Sequence, residues 1–146
     1  MAHFTTTIES KASPEAVFAY LADFSNTQEW DPSVSEARFL SEPPIDEGSR
    51  FEVRLPLLGR ELVFEYRVTH FEPPHRIVLE SDEALLRSVD TIRIEPMPFG
   101  CRLHYDADLR PRGAAYLLDL PLHLAFQISG SRSARGLERA LARLVP

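Results

Sequence analysis

The chain has 146 residues, of which 44% are hydrophobic and 10% aromatic, and its net charge is −6. This apolar content is sufficient for one folded domain over residues 1–146 and argues against intrinsic disorder. The acidic balance disfavours nucleic acid as a partner, because binding phosphates requires a positive surface. No apolar run approaches the ~20 residues that cross a bilayer, and the first residues lack the basic and apolar segments of an export signal. We therefore expect no integral membrane segment and a cytoplasmic location.

The first part of the chain is predicted to contain one strand followed by two short helices. Apolar and polar residues alternate over residues 3–10, which is the period of a half-buried strand. Ser13 has the side chain of an N-cap, and Pro14 suits the first position of a helix that ends near Asp23. A second helical turn is expected over residues 26–30, before a proline that stops it.

The middle of the chain is predicted to form strands and the end a helix. Alternating segments occur at residues 34–40, 51–55, 62–70, 77–81, 88–94 and 103–109. Their connections are too short for crossover helices, so neighbouring strands are expected to pair in antiparallel fashion. From Gly113 to Val145 apolar residues recur at three- and four-residue steps, which predicts one long helix with a bend at Pro121.

Three stretches carry a resemblance to a known family. They are SPEAVFAYLAD at residues 13–23, Trp30-Asp31-Pro32, and the strand pair that runs from Val89 through Gly100 to Leu109. With this order of elements, the chain resembles the helix-grip proteins of the START / polyketide cyclase (SRPBCC) superfamily, in its polyketide cyclase/dehydrase-like branch. The resemblance spans nearly the whole chain. It implies an α+β fold in which a curved seven-stranded antiparallel sheet wraps around a long C-terminal helix, with two short helices between strands 1 and 2.

The resemblance also implies a ligand cavity between the sheet and the last helix. Proteins of this kind hold sterols, lipids, hormones, flavonoids or polyketides there, and some cyclise or dehydrate polyketides. No catalytic set is common to them, so the resemblance supplies no catalytic residue, and the site has to be inferred from the residues themselves.

Strand alternation predicts which side chains face the helix. The expected ligand-binding residues are Phe51, Val53, Phe64, Tyr66, Val68, Leu79, Asp90, Ile92, Tyr105 and Ala107 on the sheet, and Leu120, His123 and Leu124 on the helix. A mostly apolar lining of this kind is typical of ligand pockets. The alternative is that these side chains meet the helix and fill the space completely.

Asp90 is the candidate acid or base, because it shares a face with Ile92 and Ile94 and burial would raise its pKa. The alternatives are an ion pair with an arginine or an outward position. Tyr66 and Tyr105 are expected either to donate hydrogen bonds to a ligand or to sit in the core with satisfied hydroxyls. Trp30 is expected either to stack on a flat ligand or to pack the second helix against the sheet.

Three functions follow from these residues. The first is binding or transport of a hydrophobic small molecule such as a lipid, fatty acyl or polyketide-like compound. The second is a polyketide aromatase/cyclase or dehydratase that uses Asp90. The third is a protein-interaction module that uses the arginines of the last helix and has a filled interior.

No cofactor is expected, and no metal site, since no Cys or His pair has ligand spacing. The single cysteine, Cys101, is expected to be a packed thiol rather than a nucleophile. The chain is expected to be a monomer or a weak dimer.

Overall fold

The computed structural model describes residues 2–57, 59–113, 117 and 119–145, and this description leaves out the side chains of residues 57, 119–122, 125 and 126. The elements follow one another as β1 Ala2–Ser10, α1 Pro14–Ala22, a 3-10 turn Phe24–Asn26, α2 Thr27–Trp30, β2 Glu36–Phe39, β3 Arg50–Leu57, β4 Arg60–Glu72, β5 Arg76–Asp82, β6 Leu86–Met97, β7 Gly100–Pro111 and α3 Asp119–Ala142.

The strands form one antiparallel seven-stranded sheet in the order β1-β7-β6-β5-β4-β3-β2. β1 pairs with β7, so the first and last strands are adjacent and the intervening strands form a meander. The sheet curves, and its concave side carries α1, α2 and α3, with α3 packed on β1 and α2. The predicted α+β architecture is confirmed.

The local signals in α1 act as the sequence predicts. The Ser13 hydroxyl accepts a hydrogen bond from the backbone N–H of Ala16 at 3.1 Å, and Pro14 opens the helix. The side chain of Asp23 accepts from the N–H of Ser25 at 3.1 Å, and this bond begins the 3-10 turn. Polar caps at both ends therefore set where the helix stops and where the chain turns toward α2.

The last helix is shorter than the sequence indicates. Gly113 has φ +56°, a left-handed conformation that cannot continue a right-handed helix, and the described helix begins at Asp119. Pro121 consequently lies in the first turn, where its missing N–H would have no partner within the helix. The bend at Pro121 stays a prediction, and the helix ends at Ala142 rather than Val145.

Helix α3 passes very close to the end of α2. A Cβ atom added to Gly136 would overlap the carbonyl oxygen of Trp30, so only glycine allows this approach. The hydroxyl of Ser133, one turn earlier on α3, donates a hydrogen bond to the carboxylate of Asp31 at 2.7 Å. These two contacts fix the last helix against the chain that follows α2.

We expect Gly136→Ala to lower the free energy of unfolding by about 1–3 kcal/mol, because the added methyl forces α2 and α3 apart. The same change at an open helical position would instead stabilise the protein by about 0.5–1 kcal/mol. Urea denaturation followed by circular dichroism measures the difference. The control is Arg135→Ala, an exposed neighbour whose change should stay within about 0.5 kcal/mol. A Gly136→Ala variant as stable as the wild type would contradict the close approach.

Candidate ligand-binding cavity

A cavity of about 190 Å³ lies between the sheet, the end of α2 and α3. Most of its wall is apolar. The strands contribute Val53, Phe64 and Ala107, the short helices contribute the rings of Phe24 and Trp30, and α3 contributes Leu137. At the facing ends of β3 and β4 the lining residues Leu55 and Leu62 are half-buried and Pro56 is exposed, so the cavity wall reaches the surface there.

A chain of hydrogen bonds forms the polar end of this cavity. The Tyr105 hydroxyl donates to Oδ2 of Asp90 at 2.6 Å, and the Ser88 hydroxyl lies 3.4 Å from Oδ1 of the same carboxylate. The hydroxyls of Tyr66 and Ser88 are 2.7 Å apart, and either of them can donate the proton of this hydrogen bond. Ser88 and Asp90 alternate along β6, so both point to the concave side. We call these four residues the Asp90 cluster.

Burial gives Asp90 an unusual proton affinity. The side chain is 8% exposed, and loss of water around the carboxylate raises its pKa from 3.8 to about 7. The hydrogen bond from Tyr105 opposes this shift, and the nearby charge of Asp31 adds to it. Burial, with the charge of Asp90, raises the pKa values of Tyr66 and Tyr105 well above the usual range. Both phenols therefore remain protonated, while Asp90 can gain or lose a proton near neutral pH.

A second carboxylate, Asp31, borders the cavity from the end of α2. Its Oδ1 accepts hydrogen bonds from the backbone N–H of Ser33 at 3.0 Å, from the Ser33 hydroxyl at 2.6 Å and from the Ser133 hydroxyl at 2.7 Å. Four residues of the site were not predicted from the sequence patterns: Asp31, Ser33, Ser88 and Ser133. The alternation along β6 could have identified Ser88, but no local pattern connects Asp31 with Ser133.

The sheet residues expected to bind ligand fall into two groups. The cavity wall includes Val53, Phe64, Tyr66, Asp90, Tyr105 and Ala107. The wall does not include Phe51, Val68, Leu79 or Ile92, which are fully buried in the solid core. Helix α1 causes this division. Its Phe18 packs on Phe71 of β4, with ring centroids 5.6 Å apart, and occupies the space above that part of the sheet. Phe51 is held by Phe24 and Phe39 instead of facing the cavity.

Of the helix residues expected to bind ligand, the two whose side chains are described, His123 and Leu124, are not part of the wall. Leu124 is 58% exposed and shares an outward stripe with Ile128, which is 63% exposed, so the prediction for Leu124 is wrong. The inward face of α3 is displaced from this stripe around the helix and contributes Ser129, Gly130, Ser133, Ala134 and Leu137. His123 is half-buried outside the cavity wall, and the side chain of Leu120 lies outside the described residues.

The structure distinguishes between the alternatives stated for Asp90, Trp30 and Cys101. Asp90 points inward and contacts Tyr105 and Ser88, not an arginine. Trp30 packs edge-on against Tyr105, with centroids 5.7 Å apart, and it also lines the cavity. Cys101 is buried, and burial raises the pKa of its thiol, which makes it a poor nucleophile.

The described residues lack the features of a metal site and of a membrane-spanning helix. No group of three or more His, Cys, Asp and Glu side chains in these residues converges as a metal site would require. None of the helices in the described part of the chain has the length and hydropathy needed to span a bilayer.

The pKa of Asp90 predicts a pH dependence of stability. Between about pH 4 and pH 7 the folded state holds a proton on Asp90 that the unfolded state has lost, so the free energy of unfolding falls as pH rises through this window. The free energy of unfolding of the wild type, measured relative to that of Asp90→Asn, should therefore fall by up to about 4 kcal/mol from pH 4 to pH 8. Urea denaturation of both proteins across this range measures it. A difference that does not change with pH would show that Asp90 has an ordinary pKa.

Solved structures with the same fold come from several sources. A START superfamily protein from Mycobacterium smegmatis is 18% identical, with a TM-score of 0.73 over 99% of this chain and 100% of that chain. The protein TTHA0849 from Thermus thermophilus is 15% identical, with a TM-score of 0.77 over 99% of both chains. The di-domain ARO/CYC StfQ from the steffimycin biosynthetic pathway is 14% identical, with a TM-score of 0.74 over 98% of this chain and 50% of that chain.

These identities are low enough that the structures show a shared fold alone. A search of curated proteins found no significant match. The family model for polyketide cyclase / dehydrase and lipid transport proteins matches residues 1–145. The chain therefore belongs to the polyketide cyclase / dehydrase and lipid transport family, whose START-like fold the structure displays.

Proposed function

We propose that this protein binds a small hydrophobic molecule in the cavity between the sheet and α3. The observation that carries the proposal is a largely apolar space of about 190 Å³ with the Asp90 cluster at one end. Apolar walls with a few convergent polar groups are the usual composition of small-molecule sites. Membership of a family that includes lipid transport proteins supports the same conclusion.

The volume of the cavity limits what can be enclosed. An apolar cavity of about 150 Å³ is known to hold benzene, so the present one has room for a single ring with a short substituent. Burying about 200 Å² of apolar ligand surface contributes about 5 kcal/mol before ordering costs. A gain of about 5 kcal/mol corresponds to a dissociation constant of about 0.2 mM, so the expected value lies in the submillimolar to millimolar range. A longer lipid or a polycyclic compound would extend past Leu55 and Leu62 to the surface of the protein.

A specific observation favours a second function, acid–base catalysis on the bound molecule. The pKa of Asp90 is raised to about 7, which suits a group that both gives and takes a proton at neutral pH. Tyr105, which donates to Asp90 at 2.6 Å, would then hold the carboxyl in place. Cyclisation or dehydration of a polyketide-like substrate would use such a group, and the family description includes both activities. The interaction-module hypothesis requires a filled interior, and the cavity does not support it.

Filling the cavity should abolish binding. Ala134 lines the cavity from α3, whereas Ala142 is exposed on the same helix. We expect Ala134→Leu to weaken binding of 2-phenylethanol at least about tenfold because the new side chain occupies the ligand's space. Ala142→Leu is the matched control and should leave the affinity unchanged. Calorimetric titration of the three proteins makes the comparison, with circular dichroism confirming that both variants are folded. Absence of saturable binding, or equal binding by Ala134→Leu, would contradict the proposed function.

The catalytic alternative predicts a separate result for Asp90. With a reactive poly-β-ketone as substrate, Asp90→Asn should lower the rate of cyclised or dehydrated product at least about a hundredfold, the scale of general acid–base catalysis. The amide keeps the shape of the side chain, so binding of 2-phenylethanol should survive and show that the site is intact. Chromatography of the products measures the rate. Unchanged turnover in Asp90→Asn would remove this residue from any mechanism.

A further inference from the structure

The hydroxyls around the cavity are largely committed as donors to the protein itself. Six of the eight hydroxyl-bearing lining residues form side-chain hydrogen bonds with acceptors of the protein. Tyr105 donates to Asp90, Ser33 and Ser133 donate to Asp31, and Ser88 hydrogen-bonds with Tyr66 and lies 3.4 Å from Asp90. Since each hydroxyl has a single proton, these groups have little left to offer a ligand that needs donors.

The carboxylates, in contrast, retain acceptor capacity. An ionised carboxylate has about four acceptor positions, and the described residues give Asp90 one strong bond at 2.6 Å and one weak contact at 3.4 Å. The bonds to Asp31 from Ser33 and Ser133 all reach the same oxygen, Oδ1. The polar end of the cavity therefore accepts hydrogen bonds more readily than it donates them.

The charges around the cavity have one sign. Among the described lining residues Asp31 and Asp90 are the ionisable acids, and none is a lysine, arginine or histidine. Arg139 and Arg143 border a separate groove on the other side of Asp31. A negative group placed at the polar end would meet two like charges and no facing cation in this part of the wall.

We infer that the ligand carries a polar group that donates hydrogen bonds, a hydroxyl or a protonated amine, and is not a free carboxylate. The inference rests on the proposed function, which it narrows to neutral or cationic amphipathic molecules. A donor at the polar end would use the spare acceptor positions of Asp90 and Asp31, and its apolar part would contact Phe64, Leu137 and Trp30. A carboxylate would lose its hydration without gaining a counter-charge, which is the costly way to bury an ion.

Three compounds of matched shape test this inference: 2-phenylethylamine, 2-phenylethanol and phenylacetate. Calorimetric titration at about pH 8, above the pKa of Asp90, should rank the amine first and the alcohol second. Phenylacetate should bind at least about tenfold more weakly than either, because like charges repel strongly in a poorly solvated site.

Neutralising one carboxylate at a time should reduce this preference. Asp31→Asn and Asp90→Asn are each expected to shrink the amine-to-phenylacetate ratio about tenfold. Asp82→Asn is the matched control, since it makes the same charge change at the exposed end of β5 beside Arg112, outside the cavity wall, and should alter the ratio less than about twofold. If one of the two cavity variants does not fold, the other still tests the inference.

The outcomes separate the two proposals. Binding of the amine and the alcohol with a preference that both aspartate variants reduce supports the inference. Phenylacetate binding as tightly as the amine, or a preference that neither variant changes, overturns the inference and leaves hydrophobic binding standing. Failure of all three compounds to bind contradicts the proposed function and the inference together.

Discussion

The contact between α3 and the end of α2 sets how far the last helix lies from the concave face of the sheet. Gly136 has no side chain at the point where α3 meets the carbonyl of Trp30, and the Ser133 hydroxyl binds Asp31 one turn away. This pair of contacts, with the packing of α3 on β1, fixes the distance between the helix and the sheet. A helix that sank further into the sheet would leave no cavity, and one that rose would expose Tyr105 and Trp30 to water.

The two halves of the concave face consequently have different roles. Near Phe71 and Ile77, helix α1 supplies side chains that fill the space, and the interior is solid. Beyond Tyr66 and Tyr105, α1 no longer covers the sheet, and the separation set by α3 leaves an empty volume. The Asp90 cluster lies at the boundary between these halves. A buried carboxylate there is tolerated because the Tyr105 hydroxyl donates a hydrogen bond to it and the Ser88 hydroxyl lies 3.4 Å away.

Strand patterns predicted the direction of side chains well and their surroundings poorly. Period-two alternation put Tyr66, Asp90 and Tyr105 on the concave side, where the structure has them. The same alternation cannot indicate how far along a strand the cavity extends, because that depends on where α1 docks. Val68 and Ile92 therefore face inward but lie in the solid core.

The inward face of the last helix was harder to predict than that of the strands. Neither His123 nor Leu124 lines the cavity. Leucine spacing indicated a helix but left its rotation open, and Leu124 belongs to the solvent-facing stripe. Leucine spacing extended the predicted helix back to Gly113. In the structure Gly113 has a left-handed conformation and lies outside the helix. Asp31 and Ser133 are 102 residues apart and meet only in the folded chain, so no local pattern could have joined them.

The proton affinity of Asp90 has a consequence for any molecule that enters the cavity. Near pH 7 this carboxyl is divided between its neutral and ionised forms, so a ligand that prefers one form must shift the balance. A donor group on the ligand draws the carboxyl toward its ionised form and releases a fraction of a proton into solution. Occupancy of the cavity is thereby coupled to the acidity of the surrounding medium, and the heat of binding will depend on the ionisation enthalpy of the buffer.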